Sequence, residues 1–206
     1  MHTEKNKIII ISSPSGAGKT TICKFLLKKM NNIDLSISYT TRQIKVTENE
    51  GKDYYFIDKK KFIHLKNNKY FIESAKIFNN YYGSPYSNIK NAFSKNKHIL
   101  FDIDWQGARK LRKNFNKSQI IDFFILPPNK QELKRRLRKR GRDNTSEINM
   151  RLSHAMTEIN HFDDYKYVLI NDKITETINN LLKIINYNFF ITENNFNIKN
   201  KLKFIK

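Results

Sequence analysis

One cysteine, Cys23, stands among 206 residues. An internal disulfide is therefore excluded, as is a zinc or iron–sulfur site built from several thiolates. No apolar run approaches the roughly 18 residues that a transmembrane helix needs. The start, Met1 to Lys7, is polar and lacks the apolar stretch of a signal peptide. Gly/Ser-rich linkers and internal repeats are missing too, so the length suits one domain with inserted parts. Acidic residues are scarce: 19 Asp+Glu face 39 Lys+Arg, a formal net charge of +20. Such a charge attracts polyanions in general, but the lysines are dispersed through patternless stretches such as Asn67-Asn68-Lys69 and read as a solvated surface. The chain is nevertheless 39% hydrophobic and 13% aromatic, too apolar for a wholly disordered polymer. These absences predict a cytoplasmic chain with no membrane partner and no specific nucleic-acid partner.

Order shows in the periodicity. Lys7–Ser12 is a β-branched run bounded by Ser-Ser-Pro-Ser-Gly, the pattern of a strand buried on both faces of a parallel sheet. From Lys19 to Met30 the apolar residues Ile22, Phe25, Leu26 and Leu27 gather on one helical face. Further buried-strand candidates are His98–Ile103, Ile120–Leu126 and Tyr167–Ile170, separated by helical stretches. This alternation predicts an α/β fold with a mostly parallel sheet flanked by helices. Shorter strand-like pieces, Leu35–Tyr39, Tyr54–Ile57 and Tyr70–Ala75, interrupt it, with helices expected at Lys59–Lys66 and Ser87–Ser94. Two charged helices are expected at about 130–140 and 146–160, a final one at Thr175–Ile185, and from about 187 a tail that is frayed, the favoured reading, or else an amphipathic contact segment.

Between the first strand and helix lies Ser13-Pro14-Ser15-Gly16-Ala17-Gly18-Lys19-Thr20. Glycines let successive amides curl round a phosphate, and the helix that follows points its free N–H groups and positive dipole end at the same anion. Lys19 supplies a charge for the β/γ oxygens, and the Thr20 hydroxyl a ligand for Mg²⁺. The pattern usually opens with glycine and here opens with Ser13. Either Ser13 keeps φ negative or the turn is strained. The segment predicts a nucleoside triphosphate site in a P-loop core.

Three further segments accompany it: Ser38-Tyr39-Thr40-Thr41-Arg42 followed by Glu50–Phe56, then Phe71–Ala75 with Asn80–Ser84, then Phe101–Gly107. With the P-loop, and in this order over about residues 7–186, they closely resemble guanylate kinase, the P-loop family that phosphorylates GMP from MgATP. The resemblance implies a core of about 7–36, 97–128 and 156–186, a GMP-binding lobe of about 37–96, a helical lid of about 129–155 and a tail of about 187–206. It implies ATP binding by Ser13 through Thr20 and by Asn171. For GMP it implies Ser38, Arg42, Lys45, Tyr54, Glu73, Tyr82, Ser84 and Asp104. Lys19, Arg42, Arg136, Arg140 and Arg151 are implied as catalytic, and Thr20 and Asp102 as the holders of Mg²⁺. Asp102 could also cap the helix that begins near Trp105. The guanine assignment makes chemical sense: N1–H and the exocyclic amino group are donors, suited to the carboxylates of Glu73 and Asp104.

The chain also departs from the family. Where a second phosphate-binding arginine is usual, Gln43-Ile44-Lys45 is found. Lysine keeps the charge and loses the bidentate fork, which predicts looser GMP phosphate binding. The five histidines are scattered without metal spacing and read as surface or packing residues. No Ser-His-Asp arrangement is evident, and none is needed when the acceptor is already an anionic phosphate oxygen. Alternatives are an inactive interaction module of guanylate-kinase type, a P-loop kinase for another monophosphate and a nucleic-acid binder. Intact Lys19, Thr20, Arg136, Arg140 and Arg151 oppose the first.

Overall fold

The computed structural model describes residues 5–139 and 145–203. Five strands, β1 (Ile8–Ser12), β2 (Ile33–Leu35), β7 (His98–Asp102), β8 (Ile120–Leu126) and β9 (Tyr167–Ile170), form one sheet in the order β2-β7-β1-β8-β9. Every pairing in it is parallel. Because side chains alternate faces along a strand, the Ile8–Ile11 run feeds both sides. Ile9 and Ile11 pack with α1 (Lys19–Lys29) and with the long last helix α7 (Ile174–Lys203). Ile8 and Ile10 pack with α3 (Tyr86–Ser94) and α4 (Trp105–Asn114). All four isoleucines are fully buried; burying such a side chain contributes about 1.5–3 kcal/mol. Cys23 is one of the small buried residues of the first layer. The α/β expectation with a parallel sheet between helices holds.

A second, four-stranded sheet of order β4-β3-β6-β5 lies between β2 and α3 in the chain, formed by β3 (Tyr39–Thr40), β4 (Tyr55–Phe56), β5 (Phe71–Ile77) and β6 (Asn80–Pro85). α2 (Lys59–Asn67) covers it with Phe62, whose ring stacks on Phe71 and Tyr81. A register shift in β5 between Phe71 and Glu73 separates two otherwise regular pairings with β6. Such bulges re-aim side chains: Ile72 goes to the core beside Phe101, and Glu73 stands opposite Ser84.

α5 (Lys130–Lys139) and α6 (Thr145–Ile159) share a small separate core of Leu133, Leu137, Ile148, Leu152 and Ala155.

Three expectations change. Leu35–Tyr39 is not one strand; the chain leaves the main sheet after Leu35 and enters the second at Tyr39. Asn80–Pro85 is a strand that the sequence reading did not assign. The last helix does not stop at Ile185 but continues to Lys203. Its extension is anchored where Phe189 stacks on His98 at 3.7 Å and Asn188 Nδ2 donates to the Tyr167 hydroxyl at 3.1 Å.

Candidate active site

β1 ends at Ser12 and α1 starts at Lys19, so Ser13–Gly18 forms the turn at the C-terminal end of the central strand, the usual place for ligands in open parallel sheets. Gly18 has φ 100°, and a Cβ there would lie 2.6 Å from Asn171 Nδ2. Among the described residues the non-glycine positions at positive φ are Lys69, Phe78 and Asn96. Ser13 therefore takes the place of the customary glycine without left-handed strain. Asn171 Nδ2 donates to the Ala17 carbonyl at 2.7 Å, and its Oδ1 accepts from Thr177 Oγ1 at 3.2 Å. The resemblance implies ATP binding by Asn171; its amide braces the loop and lines neither of the cavities described next.

Two cavities meet over the loop. One, of about 220 Å³, has the P-loop on one wall and Glu73, Asp104, His154 and Glu158 on others. The larger, about 780 Å³, is lined by Arg42, Lys45, Glu48, Arg151 and their neighbours. Thr20, Ser38, Tyr54, Phe78, Tyr82 and Asp102 border both. Lys19 Nζ lies 2.5 Å from Asp102 Oδ1 and donates to the Ile103 carbonyl at 3.2 Å. Burial alone would lower the pKa of this ammonium, but the Asp102 carboxylate reverses the effect and raises it above the ordinary lysine value.

In the smaller cavity Glu73 is 3% exposed. Its Oε1 accepts from Ser84 Oγ at 2.6 Å, and Ser84 Oγ lies 2.9 Å from Ser38 Oγ. Room for the carboxylate exists because residue 107 is glycine: a Cβ there would sit 2.7 Å from Glu73 Oε2. Burial pushes Glu73 up to about 7; the Ser84 hydrogen bond opposes that rise and the Asp104 charge adds to it. Asp104 Oδ1 accepts from the Gly107 amide at 2.9 Å, capping α4, while Oδ2 accepts from Gln106 Nε2 at 3.0 Å. The cap of this helix is thus Asp104 rather than Asp102.

In the larger cavity the two terminal guanidinium nitrogens of Arg42 donate to Glu48, Nη1 to Oε2 and Nη2 to Oε1, each at 2.9 Å. Glu48 also accepts from the Lys45 amide at 3.0 Å. Burial would raise the Glu48 carboxyl, but Arg42 and the Lys45 amide hold it below its ordinary value. Tyr54 and Tyr82 meet edge to face at 5.9 Å, and the Arg42 guanidinium lies 5.4 Å from the Tyr54 ring centre.

The structure thus brings Lys19, Thr20, Ser38, Arg42, Lys45, Tyr54, Glu73, Tyr82, Asp102, Asp104 and Arg151 round one cleft with the P-loop. Ser84 stands behind Glu73. Arg136 is not among them: its Nε donates to Glu132 Oε1 at 2.7 Å and its Nη2 to the Asn171 carbonyl at 2.9 Å. Arg140 lies outside the described residues. Glu48, His154 and Glu158 escaped the sequence reading. Glu48 could have been found as an acid close behind Arg42; His154 and Glu158 share with Arg151 the i, i+3, i+7 spacing of one helix face.

Thr20 and Asp102 offer a hydroxyl and a carboxylate at the mouth of both cavities. No group of three or more His, Cys, Asp or Glu suited to a metal occurs among the described residues. A divalent ion held here would draw most of its ligands from phosphate and water, as Mg²⁺ does, so the donor set fits that ion.

A P-loop at the end of the central strand of a parallel sheet, facing a pocket of paired carboxylates and an arginine fork, defines a P-loop phosphotransferase. Comparison with known proteins narrows this class. The family model described as guanylate kinase matches residues 5–188. A guanylate kinase of Rickettsia prowazekii is 46% identical over 183 residues, 88% of this chain and 92% of that protein. One from Buchnera aphidicola subsp. Schizaphis graminum is 44% identical over 180 residues, 86% of each. The crystal structure of guanylate kinase from Anaplasma phagocytophilum superposes with a TM-score of 0.74 at 36% identity, covering 88% of this chain and 85% of that one. The chain belongs to the guanylate kinase family.

Proposed function

We propose that this enzyme transfers the γ-phosphoryl group of MgATP to GMP, giving ADP and GDP within purine nucleotide metabolism, and that it also accepts dGMP. The observation that carries the choice of acceptor is the buried Glu73 carboxylate beside Asp104, opposite the P-loop. Guanine brings donors to these oxygens; adenine would bring a lone pair and leave buried acceptors unpaired, a mismatch that can cost roughly 10⁴-fold in kcat/KM.

In this reading Ser13–Thr20 cradle the donor phosphates, and residues 37–96 form the lobe that takes GMP, with Ser38 and Ser84 behind the base. Arg42 exchanges its Glu48 partner for the GMP phosphate, helped by Lys45 and by the Tyr54 and Tyr82 hydroxyls. A GMP phosphate oxygen attacks the γ-phosphorus while the bond to the ADP oxygen breaks; no proton needs removal, so positioning and charge stabilisation carry the reaction. Lys19 and Arg151 face the phosphates. Arg136 and Arg140 would join them as residues 129–155 close, which takes Arg136 off the Asn171 carbonyl. Thr20 and Asp102 would hold Mg²⁺, whose role is to neutralise charge on the β and γ oxygens. The working compartment of such an enzyme is the cytoplasm; no helix among the described residues is long and apolar enough to cross a membrane.

A coupled ADP-release assay with MgATP and GMP, dGMP, AMP, UMP or CMP tests the proposal. GMP and dGMP should turn over, and Lys19→Ala should abolish that turnover. Preference for another acceptor would overturn the reading.

A further inference from the structure

Glu158 sits near the end of α6, 7% exposed, and has no role of its own in the proposed function. Its Oε2 accepts the backbone N–H of Ser15 in the P-loop at 3.0 Å. The same oxygen lies 3.6 Å from His154 Nδ1, one turn back on the helix. By contrast, no protein acceptor among the described residues takes the amides of Gly16, Gly18, Lys19 or Thr20. The carboxylate thus takes the Ser15 amide, while these four have no protein acceptor among the described residues. On α6, Arg151 lies two turns before Glu158 on the same face, and both border the cleft.

We infer that Glu158 is a positioning residue for phosphoryl transfer. It ties the C-terminal end of α6 to the shoulder of the P-loop, so that Arg151 reaches the transferring phosphate from a fixed root. A buried carboxylate close to a phosphate site costs free energy unless paired, and burial does hold its acidity below that of an ordinary glutamate, with the Ser15 amide and His154 opposing. An apolar residue would fill this position more cheaply. What it could not supply is the acceptor for Ser15. In this inference the carboxylate acts through the loop and the helix.

The inference rests on the proposed function, and its test separates the two. Amide exchange followed by NMR on the wild-type protein without nucleotide should show Ser15 slowed relative to Gly16. Glu158→Gln keeps an oxygen that can accept from Ser15 and should keep both this slowing and most of kcat. Glu158→Met keeps volume without an acceptor; it should lose the slowing and lower kcat about tenfold to a hundredfold, the scale of a misplaced catalytic group. The KM for GMP should stay within about twofold, because Glu73 and Asp104 are unchanged. Unslowed Ser15 exchange in the wild type, or equal kcat in the Gln and Met variants, overturns the inference. An inactive wild type with a slowed Ser15 overturns the proposed function and leaves the tie standing.

Discussion

At the scale of single residues, Glu73 and Arg42 are held in opposite ways. Glu73 is buried with a hydroxyl partner and, among the described residues, no cation in hydrogen-bond reach, and its pKa rises to about 7 from 4.5. Guanine recognition needs the acceptor form. The kcat/KM for GMP should therefore fall as pH drops through about 7, approaching tenfold per unit below it, while the KM for ATP stays flat. In Glu73→Gln that dependence should disappear, together with most GMP use; a pH series on both proteins checks it. The sign for folding is opposite: between 4.5 and about 7 the folded chain binds the extra proton, so ionising Glu73 removes stability as pH rises. Arg42, in contrast, is already forked onto Glu48, and Lys45 stands where the family has a second arginine. Restoring the fork with Lys45→Arg should lower the Kd for GMP about threefold to tenfold, measured by calorimetry; an unchanged Kd refutes the prediction.

Elements show what a single sequence can and cannot reveal. The strand β1, the P-loop and α1 were legible because their signals are local: a β-branched run, glycines and a change of period. The arginine and carboxylate positions were legible only through resemblance, since nothing within Phe71–Ala75 says that a bulge turns Ile72 to the core and Glu73 to the pocket. The hydrogen bond of Asn171 to Ala17 across the fold was not legible, because it has no local mark. The favoured reading of the tail as frayed failed for a related reason, and the contact segment weighed beside it is what the structure has. Its many Asn and Lys residues hide two anchors, Asn188 and Phe189, whose partners lie on β9 and at the start of β7. Truncation after Asn186 should therefore lower the melting temperature by several degrees and leave kcat unchanged, a loss that thermal unfolding would register. His98, held near 4 by burial and by the Lys7 charge, adds a pH signature. Its neutral form is what the fold accepts, so stability should decline as pH falls from about 6.5 toward 4.

For the molecule as a whole, a net charge of +20 surrounds a cleft that receives two anionic nucleotides. Their capture should be steered by this field and screened by salt. Raising ionic strength from about 0.05 to 0.5 M should lower kcat/KM for GMP several-fold with a smaller effect on kcat. Steady-state kinetics in KCl, with glycerol controls for viscosity, would reveal a flat profile if the charge is merely distributed surface.

One contact joins the second sheet to α6. Phe78, at the tip between β5 and β6 with φ 52°, lays its ring on His154 of α6 at 4.8 Å. Hairpin and helix thereby touch across the entrance above Glu73 and the P-loop. In the proposed reaction, nucleotides that enter the cleft would pass this pair of rings, and Phe78→Ala would take this aromatic bolt away.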